Sequence, residues 1–505
     1  MASVIHDAEG AKPVRPQLMA VTLLLLVSGI RLGYAQEMNY NTFQVGSRSA
    51  LMGGAVVGGV RDTSATFYNP GALAFVENAS ISVSANAFRF GTMTIDKALG
   101  PGEEATASLL EPVPLLVSGI LPWPVAPQWV FGYALVARQQ YSATFTNAVD
   151  TPRETINVGG VSQPLPHQFV AQSNMTSRAN EFWAMAAAAW RLDETLALGL
   201  APSIAWRRQS RQEQLSVQSI PLGASDLAPM SNTQSTDVEF SQFSLLTRFG
   251  VAWEPSALLK VGATLTTPQL KLASSGSSQA QVTRTNIPVF TNGTLAGSQS
   301  VLGSDFQDGL SSHYRTPLSI AVGAEVKPWA PVTVGLSVSY SVALGRQALL
   351  EVQGGHPFFR GPETTGLPDS TRFLPPLDER RAVVNVSFGA EYALNDMYAA
   401  YVGVWTDFSP LTSQQFRAID RSGQGFVMAV GEVDLYHVVF GATRTTQRSK
   451  VAAGMVISQG RGTAPSNLDI TATGDVFGLT QGGRLIDRHA AFFSISLLLG
   501  YTYFF

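Results

Sequence analysis

Residues 491–505 read AFFSISLLLGYTYFF, and this stretch decides the fold. Large apolar side chains occupy every second position back from Phe505, and small or polar residues such as Ser494, Ser496 and Gly500 fill most of the positions between them. Because successive side chains of an extended chain point to opposite sides, a period of two predicts a β-strand with unlike faces. The apolar face meets either the core of a soluble sandwich or the lipid around a membrane barrel.

The same alternation recurs along the chain, most clearly in VTVGLSVSYSVAL at residues 332–344. We predict fourteen strands, an even number as is typical of bacterial outer-membrane barrels. They lie near residues 79–90, 112–121, 129–143, 179–191, 195–209, 239–254, 258–273, 315–328, 331–345, 380–393, 397–409, 432–446, 449–463 and 489–505.

Short and long connections alternate between these strands. The short ones, such as RLDET at 191–195 and LNDM at 394–397, carry residues typical of tight turns. Long polar segments lie near 91–111, 144–178, 210–238, 274–314, 346–379, 410–431 and 464–488. Barrels of the Gram-negative outer membrane have short periplasmic turns and long outer loops. The sequence therefore predicts an all-β, 14-stranded antiparallel transmembrane β-barrel over residues 79–505, and a soluble all-β fold is the alternative.

The composition excludes several classes of function. Charged residues make up 14% of the chain and hydrophobic ones 45%, with a formal net charge of −3, which argues against a nucleic-acid partner. The absence of cysteine excludes disulfides, thiolate metal sites, a cysteine nucleophile and a lipid-modified N-terminal cysteine. We expect neither a metal nor a cofactor.

The N-terminus has the pattern of a secretory signal peptide. Lys12 and Arg15 precede the apolar run LMAVTLLLLVSGI, which is too short to cross a bilayer comfortably. We predict cleavage after Ala35, so that residues 1–35 are removed; an uncleaved anchor is the alternative. No later segment has the pattern of a transmembrane helix, so membrane residence requires a barrel.

Residues 36–78 precede the first predicted strand and do not alternate. Glycine pairs permit close backbone approach, and Phe67 and Tyr68 are too apolar for a free tail. Because a barrel of fourteen strands is wide enough to need filling, we expect this segment to fold inward as a plug. A periplasmic extension is the alternative.

Two adjacent stretches, SALMGGAVVGGVRD at 49–62 and ATFYNPGALA at 65–74, carry a family resemblance. Ahead of fourteen strands and a terminal aromatic, they resemble the FadL/TodX (OMPP1) family of outer-membrane transporters for long-chain fatty acids and aromatic hydrocarbons. The hairpins FGVAWEPSALLKVGATLTTP and FGAEYALNDMYAAYVGVWTDFSP are more loosely similar to that family's strand-turn-strand units.

The plug motif is the most specific part of the resemblance. The family's triplet is Asn-Pro-Ala, whereas this chain has Asn69, Pro70 and Gly71, preceded by Phe67 and Tyr68. The resemblance implies that these five residues pack the plug, and the exchange of alanine for glycine implies a local difference in that packing.

The resemblance implies passive, ligand-gated uptake of a hydrophobic molecule, with release sideways through a kink in the third strand. Gly132 is the candidate for that kink. Arg138, Arg248 and Lys260 fall on the predicted lumen face and are candidate contacts for an anionic headgroup. Pairing with carboxylates inside a polar barrel is the alternative role for each cation.

The resemblance also implies a monomer surrounded by outer-membrane lipid and lipopolysaccharide. The terminal Phe505 resembles the signal that barrel-assembly machinery recognises. Three other classes are considered: a general porin, a structural or adhesive barrel, and an outer-membrane hydrolase. Only His437 and His489 fall in predicted strands and no GxSxG motif occurs, so we expect no catalysis.

Overall fold

The computed structural model describes most of the chain from residue 39 onward. The described residues are 39–76, 78–98, 104–122, 126, 128–158, 161–223, 228–291, 294–355, 358–360, 370–416, 426–466 and 486–505. The predicted signal peptide at 1–35 lies outside them, so its cleavage stays a prediction.

Three short α-helices and one 3-10 helix are described: α1 (Ser47–Leu51), α2 (Ala65–Tyr68), the 3-10 helix (Pro70–Phe75) and α3 (Ser370–Phe373). Within the described ranges, no helix has the length and hydropathy needed to span a bilayer. The strands are β1 (Ser80–Ile95), β2 (Ala105–Pro122), β3 (Trp129–Val158), β4 (Val161–Arg191), β5 (Leu196–Pro221), β6 (Met230–Ser256), β7 (Leu259–Thr266), β8 (Leu270–Thr291), β9 (Thr294–Gln307), β10 (Ser319–Trp329), β11 (Val332–Ser341), β12 (Leu344–Ala348), β13 (Phe358–Arg360), β14 (Pro376–Arg380), β15 (Val383–Ala393), β16 (Tyr398–Asp407), β17 (Phe426–Val427), β18 (Glu432–Thr445), β19 (Ser449–Ser466) and β20 (Ile486–Phe504).

The strands close into one antiparallel ring, which confirms the predicted fold class. The order is β1, β2, β3, β4, β5, β6, β7, β10, β11, β15, β16, β18, β19 and β20, and β20 pairs back to β1 with Tyr501 opposite Val83. β7 and β8 occupy one position in the ring, because both pair with β6. We call each strand position in the ring a stave. Over the described residues the ring therefore has fourteen staves. β12, β14 and β17 form a separate small sheet.

The outer surface of the ring is an apolar belt bounded by aromatic side chains. Leu336 and Leu497 are 47% and 44% exposed, so the bulky face of the alternating pattern points outward as predicted. Aromatic residues mark the edge at the short turns, among them Trp253, and another set that includes Phe243 marks the opposite edge. The roughly ten residues between those two, at about 3.3 Å each and a tilt of about 40°, span about 25 Å. This is the height of a bilayer's hydrocarbon layer.

Several strands are longer than the alternation predicts. The segments 144–178 and 210–238, predicted as loops, are largely the extended ends of β3, β4, β5 and β6. The loop prediction was wrong there because those strand ends rise beyond the belt into water. Both faces can then be polar, and the contrast that identifies a strand disappears.

The lumen holds the N-terminal segment. Residues 39–76 are mostly buried and contact staves all round the ring. The Gly46 amide donates to Ser84 of β1, the Val57 amide donates to Ser337 of β11, and the Trp405 indole of β16 donates to a plug carbonyl. The segment thus lies inside the barrel rather than extending from it; we call residues 39–76 the plug.

Pairing between β2 and β3 is interrupted. These strands pair from Pro122 opposite Val130 to Leu116 opposite Val136, and among the described residues the next pair is Thr106 opposite Thr146. β3 also shifts register against β4 between Ala137 and Gln139. Between these pairs, residues 107–115 of β2 and 137–145 of β3 show no strand pairing with each other in the described register, although β2 stays paired to β1 and β3 to β4; we call this stretch the β2–β3 window.

Candidate functional site

The Asn-Pro-Gly motif fixes the plug to the wall. The Asn69 amide nitrogen donates to the carbonyls of Val57 and Val251, each at 2.9 Å, and its side-chain oxygen accepts from the Gly71 amide. Asn69 therefore caps the 3-10 helix that Pro70 begins and joins it to β6. The described contacts fit a structural role, and a transport role for the motif stays a proposal.

Glycine is required at the third position of the motif. A Cβ on Gly71 would lie 2.8 Å from the Gly250 carbonyl oxygen and 3.1 Å from that of Ala197. A Cβ on Gly250 would in turn lie 2.7 Å from the Gly71 amide nitrogen. The plug backbone thus touches wall backbone directly, which explains how Asn-Pro-Gly packs here in place of Asn-Pro-Ala.

Ion pairs hold the opposite part of the plug. Arg48 of α1 donates to Glu325 of β10 at 2.9 Å and to Glu391 of β15 at 2.7 Å. Burial by itself would lower the pKa of the Arg48 guanidinium, but the two carboxylates outweigh it and raise the pKa well above its usual value. Lys260 lies 3.5 Å from Glu325 and belongs to this anchoring cluster, as does the pair Arg61–Glu254.

A cavity that is open to solvent lies between the plug and the wall. Phe67, Tyr68 and Trp183 line one side, and serine hydroxyls of β10, β11 and β15 line the other. Tyr68 is held in place because its hydroxyl donates to Gln44 and accepts from the Val45 amide. Burial raises the pKa of the Tyr68 hydroxyl, so the phenol stays neutral.

Two of the three predicted cations meet in this cavity. The Arg248 guanidinium lies 4.1 Å from the Phe67 ring centre and 5.3 Å from that of Trp183, and Arg138 lies 5.8 Å from the Trp183 ring on β4. Arg248 Nη1 donates to the Phe67 carbonyl, and its buried Nε has no partner among the described residues. Among the described residues, neither the Arg138 nor the Arg248 guanidinium forms an ion pair. We call Arg138, Trp183 and Arg248 the cation clamp.

The outward side of the cavity is closed by stacked guanidinium and phenol groups. Arg207 pairs with Glu181 at 2.8 Å, with both side chains 2% exposed. The Arg207 and Arg380 guanidinium groups lie 3.9 Å and 5.0 Å from the Tyr314 ring centre. Burial raises the pKa of the Tyr314 hydroxyl, so the phenol stays neutral between the two cations. Tyr314 thus separates the cavity from the extracellular surface.

The described residues offer little for catalysis. His437 Nδ1 contacts Ser458 Oγ at 2.8 Å, but both are buried in the wall, and His437 stacks on Trp405 at 4.5 Å. Its Nε2 has no described partner, so no carboxylate orients the ring. Among the described side chains, no group of three or more His, Cys, Asp or Glu is arranged to hold a metal ion.

Gly132 lies in regular pairing, opposite Ile120 on one side and Ala187 on the other. A Cβ at Gly132 would lie 2.8 Å from Thr66 Oγ1, so the lack of a side chain here leaves room for the plug. β3 is instead irregular at Arg138, which is skipped in the register with β4. The β2–β3 window therefore adjoins the cation clamp.

Sequence reasoning missed Trp183, Glu181 and Tyr314. A signal for the first two was present, because Glu181 and Trp183 share the small-residue face of their strand with Ala187 and are too large for that face unless they contact something in the lumen. Tyr314 lies in a segment predicted as a loop and carried no such signal.

The fold and the site together define a class: a closed transmembrane barrel whose lumen holds a plug and a cavity that is lined by aromatic side chains on one side. No family model and no curated protein matches the sequence. A solved FadL homologue from Pseudomonas aeruginosa is similar, with 13% identity and a TM-score of 0.52 over 94% of this chain and 100% of that one. The toluene transporter TbuX from Ralstonia pickettii has 12% identity and a TM-score of 0.52 over 92% and 100%. At these identities the likeness establishes the fold, and the fold implied by the FadL/TodX resemblance is confirmed.

Proposed function

We propose that the protein is an outer-membrane channel of a Gram-negative bacterium for passive uptake of hydrophobic molecules. The apolar belt places the barrel in a bilayer, and the plug leaves the cavity beside the β2–β3 window as the binding space. The toluene transport named for TbuX supports this class of cargo. The observation that carries the proposal is that Arg138 and Arg248 form no ion pair among the described residues and lie beside the β2–β3 window.

The cargo class we propose is an amphiphile with an apolar tail and a carboxylate, such as a long-chain fatty acid. Phe67 and Trp183 offer aromatic surface to the tail, where each buried methylene contributes about 0.8 kcal/mol. Arg138 and Arg248 offer charge to the headgroup, and the Arg248 Nε, which is buried and has no partner among the described residues, becomes a further donor once a ligand displaces its surroundings.

The clamp also supports ligand gating. Arg248 donates to the carbonyl of Phe67, which belongs to the plug. A ligand carboxylate that takes this donor competes with that carbonyl and loosens the plug at Phe67. The plug is then still held to the wall at the neighbouring residue, because the Thr264 hydroxyl of β7 donates to the Tyr68 carbonyl.

Release sideways through the β2–β3 window completes the proposal. Behind the window, Tyr141 packs with Met93 and Ala107, and its hydroxyl lies 3.7 Å from the Met93 sulfur. Pro112 and Pro114 of β2 lack the N–H that pairing needs, which keeps the window open. An apolar tail leaving here stays in contact with lipid and never crosses water.

Binding of oleate and of oleyl alcohol tests the clamp. Arg138→Gln with Arg248→Gln is expected to weaken oleate binding about tenfold or more, because charge-assisted hydrogen bonds are lost, and to leave oleyl alcohol binding within about threefold. Arg208→Gln with Lys327→Gln removes the same charge outside the cavity and serves as the control. Equal losses for both ligands would refute the carboxylate assignment. Rapid sugar permeation into liposomes, with no oleate binding by the unmodified protein, would favour a general porin.

Cross-linking tests the window, since the chain has no cysteine of its own. Ser108→Cys with Thr144→Cys, which continue the register of Thr106 and Thr146, can be joined across the window by a short bis-maleimide. The expected result is that uptake stops while binding persists. The control joins Leu121→Cys to Phe131→Cys in the paired part, and equal uptake by the two cross-linked proteins would exclude this exit.

Four further points stay predictions: removal of residues 1–35, a plug domain bounded at 36–78, a monomer, and recognition of Phe505 by assembly machinery.

A further inference from the structure

The outer rim of the barrel is discontinuous above β10. β10 pairs with β7 up to Ser319 opposite Thr266, but β8, which continues that stave, pairs only with β6 and β9 among the described strands. A groove lies in this space between Lys271 on β8, Arg315 ahead of β10, and Gln347 of the small sheet. Its floor is Tyr314. We call it the rim groove.

The rim groove lies at the height of the membrane interface. Lys271 is opposite Ser244 of β6, which follows Phe243 of the outer aromatic edge. On either side of Lys271, Leu270 and Leu272 are 66% and 59% exposed. Charged groups therefore sit beside bare aliphatic side chains where the headgroups of the outer leaflet meet the acyl chains.

The cations of the rim groove keep their charge. Lys271 Nζ donates to Ser311 Oγ at 2.6 Å and Arg315 Nε donates to Gln347 Oε1 at 2.8 Å, and both acceptors are neutral. His313 contacts the groove's carboxylate, Glu351, at 3.4 Å. Lys271 and Arg315 outnumber Glu351 in the groove, so its lining is net positive.

Three rim arginines elsewhere are each held by a carboxylate, unlike Lys271 and Arg315. They form the ion pairs Arg208–Glu239, Arg346–Glu379 and Arg381–Asp434. A cation that bonds a neutral oxygen remains free to attract an anion, whereas one held by a carboxylate is largely screened.

We propose that the rim groove binds lipopolysaccharide of the outer leaflet: Lys271 and Arg315 contact a phosphate of its lipid A, and Leu270 and Leu272 contact an acyl chain. Basic residues at the bilayer surface attract anionic headgroups, and guanidinium and ammonium groups bind phosphate. The proposal rests on the outer-membrane placement proposed above and is independent of what the lumen transports.

Native mass spectrometry of the full-length protein in neutral detergent, titrated with bis-phosphorylated lipid A, tests the groove. Lys271→Gln with Arg315→Gln is expected to weaken lipid A binding about tenfold, since each basic residue near an anionic surface contributes severalfold. Lys271→Arg with Arg315→Lys retains the charges and is expected to bind as the parent does. Arg208→Gln with Lys327→Gln is the matched control for charge loss. The barrel's heat-dependent gel mobility checks folding.

Further arms separate a lipid from other anions and from the transport proposal. Dephosphorylated lipid A is expected to bind weakly, and millimolar inorganic phosphate is expected not to displace lipid A. Equal binding by the parent and the Lys271→Gln, Arg315→Gln variant would overturn the proposal, as would equal weakening in the control pair. Displacement by phosphate alone would assign the groove to a soluble anion instead. Oleate binding is expected to be the same in the parent and in every rim variant. If the parent does not bind oleate, that result counts against the transport proposal alone.

Discussion

Substituting Gly403 tests whether the plug is held by direct backbone contact. A Cβ on Gly403 of β16 would lie 2.5 Å from the Gly53 amide nitrogen and 2.7 Å from the Met52 carbonyl carbon. Ordinary contact begins at 3.4 Å, so Gly403→Ala forces the plug away by about 0.9 Å. Overpacking of this kind costs about 1–3 kcal/mol, which raises the population of displaced plug by about 5- to 150-fold at about 1.4 kcal/mol per factor of ten.

Single-channel recording in planar bilayers measures the displaced plug as the frequency of open events. Gly403→Ala is expected to increase that frequency within the stated range. Gly345→Ala is the matched control, because a Cβ at Gly345 meets nothing within 4 Å. If the two variants open equally often, the close backbone contact does not hold the plug, and the reasoning from the glycine positions is refuted.

Three further substitutions probe the anchors and a turn. Arg48→Met removes the guanidinium shared by Glu325 and Glu391, which leaves Glu325 only its pair with Lys260 among the described residues, and is expected to destabilise the seated plug by about 3–5 kcal/mol. Arg208→Met in an exposed pair costs at most about 1 kcal/mol, and thermal unfolding compares the two variants. Asn69→Ala removes three hydrogen bonds and is expected to increase proteolysis of the plug, and unchanged cleavage rates would contradict that. Amide and hydroxyl donors of Thr195 hold the pKa of the Asp193 carboxyl below its ordinary value of 3.8. A lowered pKa stabilises the fold above that value, so Asp193→Asn is expected to destabilise the β4–β5 turn at neutral pH and to match the parent once acid protonates Asp193, as a pH series of unfolding midpoints checks.

The barrel was predictable because its determinant is local. β11, with Leu336 on one face and Ser337 on the other, and β20, with Leu497 on one face and Gly500 on the other, each show two environments in neighbouring residues. Where both environments are aqueous, as in the upper part of β3, the contrast vanishes and the strand was predicted as a loop. The period of the sequence reports the surroundings of a strand and not its length.

The plug motif was likewise readable from the sequence, but its packing was not. Asn69 bonds a carbonyl 182 residues away on β6, and Gly71 is needed because Gly250 lies against it. The cations show the same limit: alternation predicted that Arg138, Arg248 and Lys260 face the lumen, and only the structure places two of them beside Trp183 and the third beside Glu325.

By itself, then, the sequence determined which side of each membrane strand faces lipid, the number of staves, and the presence of an apolar, glycine-rich segment ahead of them. The tertiary structure alone decided where β2 and β3 lack pairing in the described register, which charged side chains meet a partner, and which residues line the cavity. The physical reason is that facing direction follows from one strand's own period, whereas a window, a clamp or a groove depends on the relative register of strands that are distant in sequence.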